Sequence, residues 1–403
     1  TDQKKIDEFI GGADIIIDAL FGTGFSGEFR PPFDEVAAKI NSASAIKISL
    51  DIASGVNAAT GEAAEGAVRA AFTVAFDAQK PGHLLLPGRE FCGKTYEVDI
   101  GIPHEVLEEI PQTCFCANEE MVFSSIRKRP RTSHKGTYGR LLCITGSANF
   151  PGAAAISAKG ALRMGAGIVT VATTERVQSL IAPAVPEATF LPLPANEEGG
   201  VSAAAAEILL PAIKRASAVL IGCGLGQSAD SAAIVKFVTE TAECPVIFDA
   251  DAINSICGEP EVLLAAANAP IITPHMGEMA RLCKKTPEQI AQARVEIACD
   301  FSSRYNCVLV LKDSSTVTAS PNGDVFFNTT GNPGLAKGGS GDLLAGMIAS
   351  LSAQGFIETA SAVCGVYLHG LAADKAAYSL SEYGMLPTDI PEYLCRILAE
   401  HEL

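Results

Sequence analysis

Residues 328–346 read NTTGNPGLAKGGSGDLLAG and run on into MIASLSAQG. This stretch decides the fold. Several glycines and a proline precede an apolar helix that the pattern starts near Asp342. Glycine lets successive backbone N–H groups turn toward one point, and a helix N-terminus adds positive partial charge. The result is an anion hole for a phosphate. A carboxylate at the helix entrance is stabilised as an anion, so Asp342 is poised to take a proton from a substrate hydroxyl, as the base of a kinase does. Taken alone, Asp342 also reads as a plain N-cap after a flexible loop.

Upstream segments repeat one design, an apolar strand that ends in glycine or a polar group. VLVLKDSSTV (308–317) delivers Lys312 to a polar turn holding Asp313, Ser314, Ser315 and Thr316, suited to phosphate or ribose oxygens, or else forming an ordinary hairpin. ITPHMGEMARL (272–282) places His275 and Glu278 three residues apart at a helix start, which is also capping-box spacing. FDADAIN (248–254) ends a strand on Asp249 and Asp251, positions for a metal or polar substrate, or for helix capping by Asp251. IGCGLGQ (221–227) brings Gly222, Gly224 and Gly226 after a strand, as in a nucleotide turn or a tight strand–helix turn. GSANFPGA (146–153) opens an Ala-rich helix that can pack against a planar ligand.

Strand patterns at 140–144, 168–172, 218–221, 246–249, 270–272 and 308–311 alternate with helical stretches, and so do those at 15–20, 45–50 and 71–76. Continuous apolar strands separated by helices imply parallel sheets covered on both faces, with ligands beyond the strands' carboxyl ends. The fold class is therefore α/β. A break near residues 103–118 divides the 403-residue chain into residues 1–113 and 114–403. The first block holds three or four strands, fewer than a complete doubly wound sheet, and the chain opens without Met. Both features lead us to expect a natural protein that begins further upstream.

The net charge of −16 repels phosphate backbones and argues against nucleic-acid binding. The twelve cysteines sit mostly singly in apolar runs, which indicates reduced thiols and a cytoplasmic protein. No apolar run reaches the roughly 18–20 residues of a membrane span.

Taken together and in order, HKGTYG, GSANFPGA, GAGIVTVAT, IGCGLG, FDADAIN, ITPHMGEMARL, LKDSSTV, GNPGLAKGGSGDLLAG and GVYLHGLAAD resemble the NAD(P)H-hydrate dehydratase family over residues 131–389. The resemblance implies a ribokinase-like domain that removes water from the (S) epimer of hydrated NADH or NADPH, with ADP or ATP as cosubstrate and Mg2+ expected beside its phosphates. Phosphorylation of the ring hydroxyl followed by loss of phosphate would explain a kinase-like fold running a dehydration. It also implies Asp342 as the base and a substrate contact, together with Ala153, Gly224, Gly226 and His275. Lys312, Asp313, Ser314, Ser315, Thr316, Asn332, Gly338 and Gly341 would serve the nucleotide. The family usually has Gly at position 313, so a carboxylate there must point away or meet a cation. Glu278 is a weak candidate for Mg2+.

In the first block, IIIDALFGTGFSGEFRPPF, SLDIASGVNAATGE and KPGHLLLPG resemble the second half of an NAD(P)H-hydrate epimerase domain, a partial Rossmann-like α/β unit. The resemblance implies substrate contacts from Gly22, Thr23, Gly24, Phe25, Ser26, Gly27, Glu28 and Asp51, and a K+ site at Asp18 and Ser54; capping after strands is the alternative for Asp18 and Asp51. The family usually has Pro where this chain has Ala53, and its early Asn- and Gly-rich loop is absent here, so this chain alone is expected to be a poor epimerase. A homo-oligomer is expected. The rival readings are a small-molecule kinase of the same fold, which would release a stable phosphorylated alcohol, and a nucleotide-binding regulatory protein without turnover.

Overall fold

The computed structural model describes residues 3–109 and 111–403. Two compact units emerge, Thr1–Gln112 and Thr113–Leu403. The smaller is built on four parallel strands in the order β1 (Ile15–Asp18), β2 (Ile46–Leu50), β3 (Phe72–Phe76) and β4 (Lys94–Val98). β1 ends two residues before the expected stretch, because the Asp18 side chain takes the Leu20 N–H and turns the backbone away. β4 was not expected from sequence. It lies at the sheet edge and is mostly exposed, so KTYEV carries no apolar run.

The larger unit carries a ten-stranded sheet. In chain order its strands are β5 (Cys114–Cys116), β6 (Arg140–Ile144), β7 (Ile168–Thr174), β8 (Thr189–Leu193), β9 (Ala218–Ile221), β10 (Val246–Phe248), β11 (Ile271–Ile272), β12 (Val308–Leu311), β13 (Val317–Ala319) and β14 (Val325–Phe327). Across the sheet the order is β5-β14-β13-β12-β11-β10-β9-β6-β7-β8. The pairing is parallel from β12 through to β8, and β12–β13–β14 form an antiparallel meander. β9 and β12 are buried along their whole length, which is why they read as unbroken apolar runs. The strands that escaped sequence reading lie in the meander or at the edges. β8 contains Pro192, which only an edge strand tolerates.

Helix Ser340–Ala353 is the spine of this unit, buried at nearly every position. It crosses helix Pro151–Arg163 backbone to backbone. A Cβ on Gly346 would stand 2.0 Å from the Ser157 carbonyl oxygen, so only glycine permits the crossing. The approach fixes the spine's N-terminus relative to the loop after β6. All twelve cysteines are free. Among the described residues no helix is long and apolar enough to cross a membrane.

Candidate active site

From β6 the sheet grows toward β7 and β8, and from β9 it grows the other way through β10, β11 and β12. The two neighbours therefore form a topological switch point, where the loops beyond their carboxyl ends diverge and leave a crevice. The Gly146 N–H donates to the Cys223 carbonyl at 2.8 Å and ties the two loops at their base. Gly224 lies against Phe150 and Ala153, whose Cβ atoms would be 2.7 and 2.8 Å from a Cβ placed there. Ala153 and Gly224 are thus brought together, with Phe150 half-exposed beside them. Gly222 adopts φ +118°, and a Cβ there would meet the Asp249 carbonyl oxygen at 1.9 Å.

The crevice floor is charged. Asp249 is buried at the end of β10, and its Oδ1 accepts from Lys312 Nζ at 2.8 Å and Thr273 Oγ1 at 2.6 Å. Burial alone would raise its pKa, but the Lys312 charge and these hydrogen bonds hold it below the usual carboxylate value. Lys312 is raised for the reciprocal reason: Asp249 and Glu278 outweigh burial. The bridge is held in place because the Lys312 N–H donates to the Pro274 carbonyl at 2.8 Å, pairing it alongside His275. Asp342 occupies the first turn of the spine helix. Burial, then the charge of Asp249, pushes its pKa up to about 6. A carboxyl so tuned is a competent base at neutral pH. Lys312 also reaches the helix start, with Nζ 3.2 Å from where a Gly341 Cβ would be.

Capping explains part of the remaining polar set. His275 Nδ1 accepts from the Gly277 and Glu278 N–H groups, while the Glu278 carboxylate accepts from the His275 N–H at 2.8 Å. This is the capping box. It leaves Nε2 of a neutral His275 to carry the proton, 3.5 Å from Glu278 Oε1, with the ring about half exposed. Burial, then Lys312, lowers the His275 pKa. Burial pushes the Glu278 carboxyl up to about 7, and its oxygens are turned to the His275 N–H and ring. Asp251 accepts from the Gly226 N–H at 2.9 Å and from Gln227, so it shapes the glycine turn.

Lys312 to Thr316 form the turn of the β12–β13 hairpin, the hairpin that the sequence offered as one reading. Asp313 does meet a cation. Its Oδ2 lies 2.7 Å from Nη2 of Arg294, a buried guanidinium that also donates to the Ser315 carbonyl. Arg294 was invisible to sequence reading because no motif surrounds it. Asn332 caps the turn Pro333–Leu335, and its Nδ2 donates to Asp374 Oδ1 while the Gly331 N–H donates to Asp374 Oδ2. Asp374, the last residue of GVYLHGLAAD, therefore braces the anion loop. Gly338 has open space around it. Ser340 Oγ is buried at the helix entrance with no hydrogen-bond partner, and a phosphate oxygen placed there would satisfy it. His369 Nε2 is likewise buried and unpartnered, and burial, then Lys312, lowers that imidazole to about 4.

In the smaller unit, Asp51 adopts φ +65°, rare for a residue with a side chain. Its Oδ2 accepts from the Thr23 N–H at 3.2 Å, and Oδ1 pairs with Lys80 Nζ at 2.7 Å. His83 Nδ1 accepts from the Lys80 N–H, so its Nε2 donates to the Asp51 carbonyl at 2.8 Å. Gly22 and Thr23 thus converge on Asp51, while Glu28 is held by the Glu65 N–H. Phe25 belongs to an aromatic cluster with Phe21 and Phe29. Gly24 and Gly27 meet nothing that a Cβ would strike, and Ser26 is exposed. Lys80 and His83 stand in KPGHLLLPG, but their roles show only in three dimensions. Asp18 and Ser54 are adjacent, yet Asp18 is fully engaged. Its oxygens accept from Ser49 Oγ, Ser54 Oγ and the Ser54 and Leu20 N–H groups. Four donors thus meet the Asp18 carboxylate, an arrangement in keeping with capping after the strand.

Known proteins resemble this chain along most of its length. A family model described as NAD(P)H-hydrate dehydratase matches residues 141–396, and one described as YjeF-related protein N-terminus matches residues 1–82. The bifunctional NAD(P)H-hydrate repair enzyme of Moorella thermoacetica is 36% identical over 97% of this chain and 74% of its own length. Its Escherichia coli counterpart is 34% identical over 96% of this chain and 72% of its own. Among solved structures, the ADP/ATP-dependent NAD(P)H-hydrate dehydratase from Bacillus subtilis, co-crystallised with ATP/Mg2+, is 33% identical with a TM-score of 0.61, covering 71% of this chain and 98% of that one. A ribokinase-like superfamily protein from Enterococcus faecalis is 28% identical, with a TM-score of 0.61, over 72% of this chain and 98% of that one. With a family model matching residues 141–396 and a relative 36% identical over 97% of its length, the chain belongs to the NAD(P)H-hydrate dehydratase family.

Proposed function

We propose that the larger unit dehydrates the (S) epimer of NADH or NADPH hydrate at the expense of ADP or ATP. The observation that carries this reading is Asp342, a carboxyl raised to about 6 at the entrance of a buried helix whose Ser340 hydroxyl lacks a partner. The nicotinamide ring lies in the crevice beside Ala153, Gly224, Gly226 and His275. The nucleotide lies over Lys312 to Thr316, Asn332, Gly338 and Gly341. Asp342 takes the proton of the ring hydroxyl as that oxygen attacks the terminal phosphorus, and the bond to the nucleotide's bridging oxygen breaks. The glycine-rich amides, Ser340 and Lys312 hold the charge that builds on the phosphoryl oxygens. The ring C–O bond then breaks, phosphate leaves, and the neighbouring ring carbon loses a proton to restore the double bond. Phosphate leaves far more readily than hydroxide.

The donor set fits a magnesium ion. Asp249 Oδ1 is committed to Lys312 and Thr273, whereas Oδ2 accepts from the Cys223 thiol at 3.5 Å, and a carboxylate oxygen of Asp249 lies within 4.8 Å of one of Asp342, a pair available to a hard cation. Mg2+ held there would neutralise charge on the nucleotide phosphates. The smaller unit is read as the C-terminal part of an epimerase domain, residues 1–113, that interconverts the two epimers. Asp51 and the loop of Gly22 to Glu28 would meet the substrate, and no step is assigned to K+. A cytoplasmic homo-oligomer completes the reading, and the exposed rings of Tyr378 and Tyr383 offer contact surface for a second copy.

The test is recovery of the reduced-nicotinamide absorbance band from purified hydrate, with ADP, with ATP and with neither. Nucleotide-dependent recovery confined to the (S) epimer supports the dehydratase. A stable phosphorylated product, without recovery, would establish the kinase alternative instead.

A further inference from the structure

A second cavity of about 920 Å³ opens in the larger unit at the opposite end of the spine helix. Asp342 lies in the first turn of that helix, whereas Leu351, nine residues on, lines the cavity. At the α-helical rise the two are about 14 Å apart along the axis. None of the residues placed in the catalytic crevice lines this cavity.

Its charge departs from that of the chain. The protein carries 46 acidic against 30 basic residues, yet Arg127, Lys128, Arg129 and Arg163 line the cavity and no Asp or Glu does. Structural duties account for two of these cations. Lys128 pairs with Glu402 at 2.7 Å. Arg129 donates to the Gly165 carbonyl, offsetting a helix C-terminus, and stacks on the Tyr138 ring at 3.8 Å. The other two are uncommitted. Arg127 has no ion-pair or hydrogen-bond partner among the described residues, and Arg163 meets only the Cys395 thiol at 3.6 Å. Leu162, Phe356 and Leu398 supply an apolar wall. The volume falls within the roughly 300–1,000 Å³ range of small-molecule sites, and apolar lining with a few convergent polar groups is their usual make-up.

From this we infer that the cavity is a second ligand site, for a small molecule that joins a phosphate-type anion to an apolar or aromatic body. Arg127 and Arg163 take the anion, since a guanidinium fork matches a phosphate, and the apolar wall takes the body. The site is independent of the dehydratase reading.

The test is calorimetric titration of the whole chain with phenyl phosphate while a non-hydrolysable ATP analogue with Mg2+ saturates the nucleotide site. One equivalent should bind, more tightly than inorganic phosphate and more weakly as salt is added. The exposed pair Arg127→Glu and Arg163→Glu should weaken binding at least tenfold while leaving dehydratase turnover unchanged. Binding that survives the double charge reversal, that the ATP analogue displaces, or that does not occur at all would overturn the inference.

Discussion

Replacing Asp342 with Asn should stabilise the larger unit and silence it. The wild-type carboxyl sits beside Asp249 and has its pKa pushed up to about 6 from the ordinary 3.8. Between those values the folded protein binds more protons than the unfolded chain, so stability falls as pH rises from about 4 to about 6. A rise of that size corresponds to about 3 kcal/mol. Partial exposure of Asp342 and relaxation around it reduce this, and about 2 kcal/mol is the expected gain for the Asn variant at pH 7. For a unit of this size that is a rise in Tm of roughly 3 °C. The gain should fall to about a tenth near pH 3.5, where the wild-type carboxyl is mostly protonated in both states. Turnover should fall by about 10²–10⁴, the usual worth of a positioned general base. Calorimetry across pH, paired with the absorbance assay, reads both effects. An Asn variant with wild-type turnover, or with the same Tm difference at pH 3.5 and pH 7, would refute the assignment of a raised, catalytic Asp342.

The remaining consequences concern the same charged floor and its margins. Turnover at saturating nucleotide should lose activity as pH falls through about 6, because protonated Asp342 cannot accept the hydroxyl proton; a flat acid limb would contradict this. Lys312→Ala leaves Asp249 buried without its cation and should cost about 3–5 kcal/mol by chemical denaturation, with Asp249→Asn restoring much of the loss. If Lys312→Ala is as stable as wild type, the bridge is not what holds Asp249 ionised. Asp313→Gly, which installs the residue usual in the family, removes the partner of buried Arg294 and should cost about 2 kcal/mol. Its nucleotide affinity should change less than tenfold, and a larger change would place the carboxylate in the nucleotide site itself.

Much of this was legible in the sequence, for physical reasons. β6, β9 and β12 are central and wholly or almost wholly buried, so they read as unbroken apolar runs. β4, β5 and β8 lie at sheet edges, where exposure removes that pattern. The glycines after β9 and before the spine helix marked the crevice, because only glycine allows such close backbone approach. What the sequence could not show is partnership across the fold. Asp313 appeared as an unfavourable carboxylate until Arg294, 19 residues away, was found to pair with it. The Asp18 carboxylate likewise gathers donors from Ser49 and Ser54, 31 and 36 residues along the chain. His275 and Glu278 form the capping box that their spacing offers, and the His275 ring stays about half-exposed.

The central claim is that the ring oxygen is phosphorylated before it leaves. The most direct test uses (S)-hydrate carrying a heavy oxygen isotope in its ring hydroxyl, turned over with unlabelled nucleotide. Phosphoryl transfer to that hydroxyl predicts that the label appears in the released inorganic phosphate, with loss of Asp342 abolishing its appearance. Label recovered in water, with unlabelled phosphate formed alongside, would mean that the hydroxyl leaves without being phosphorylated and would contradict the mechanism.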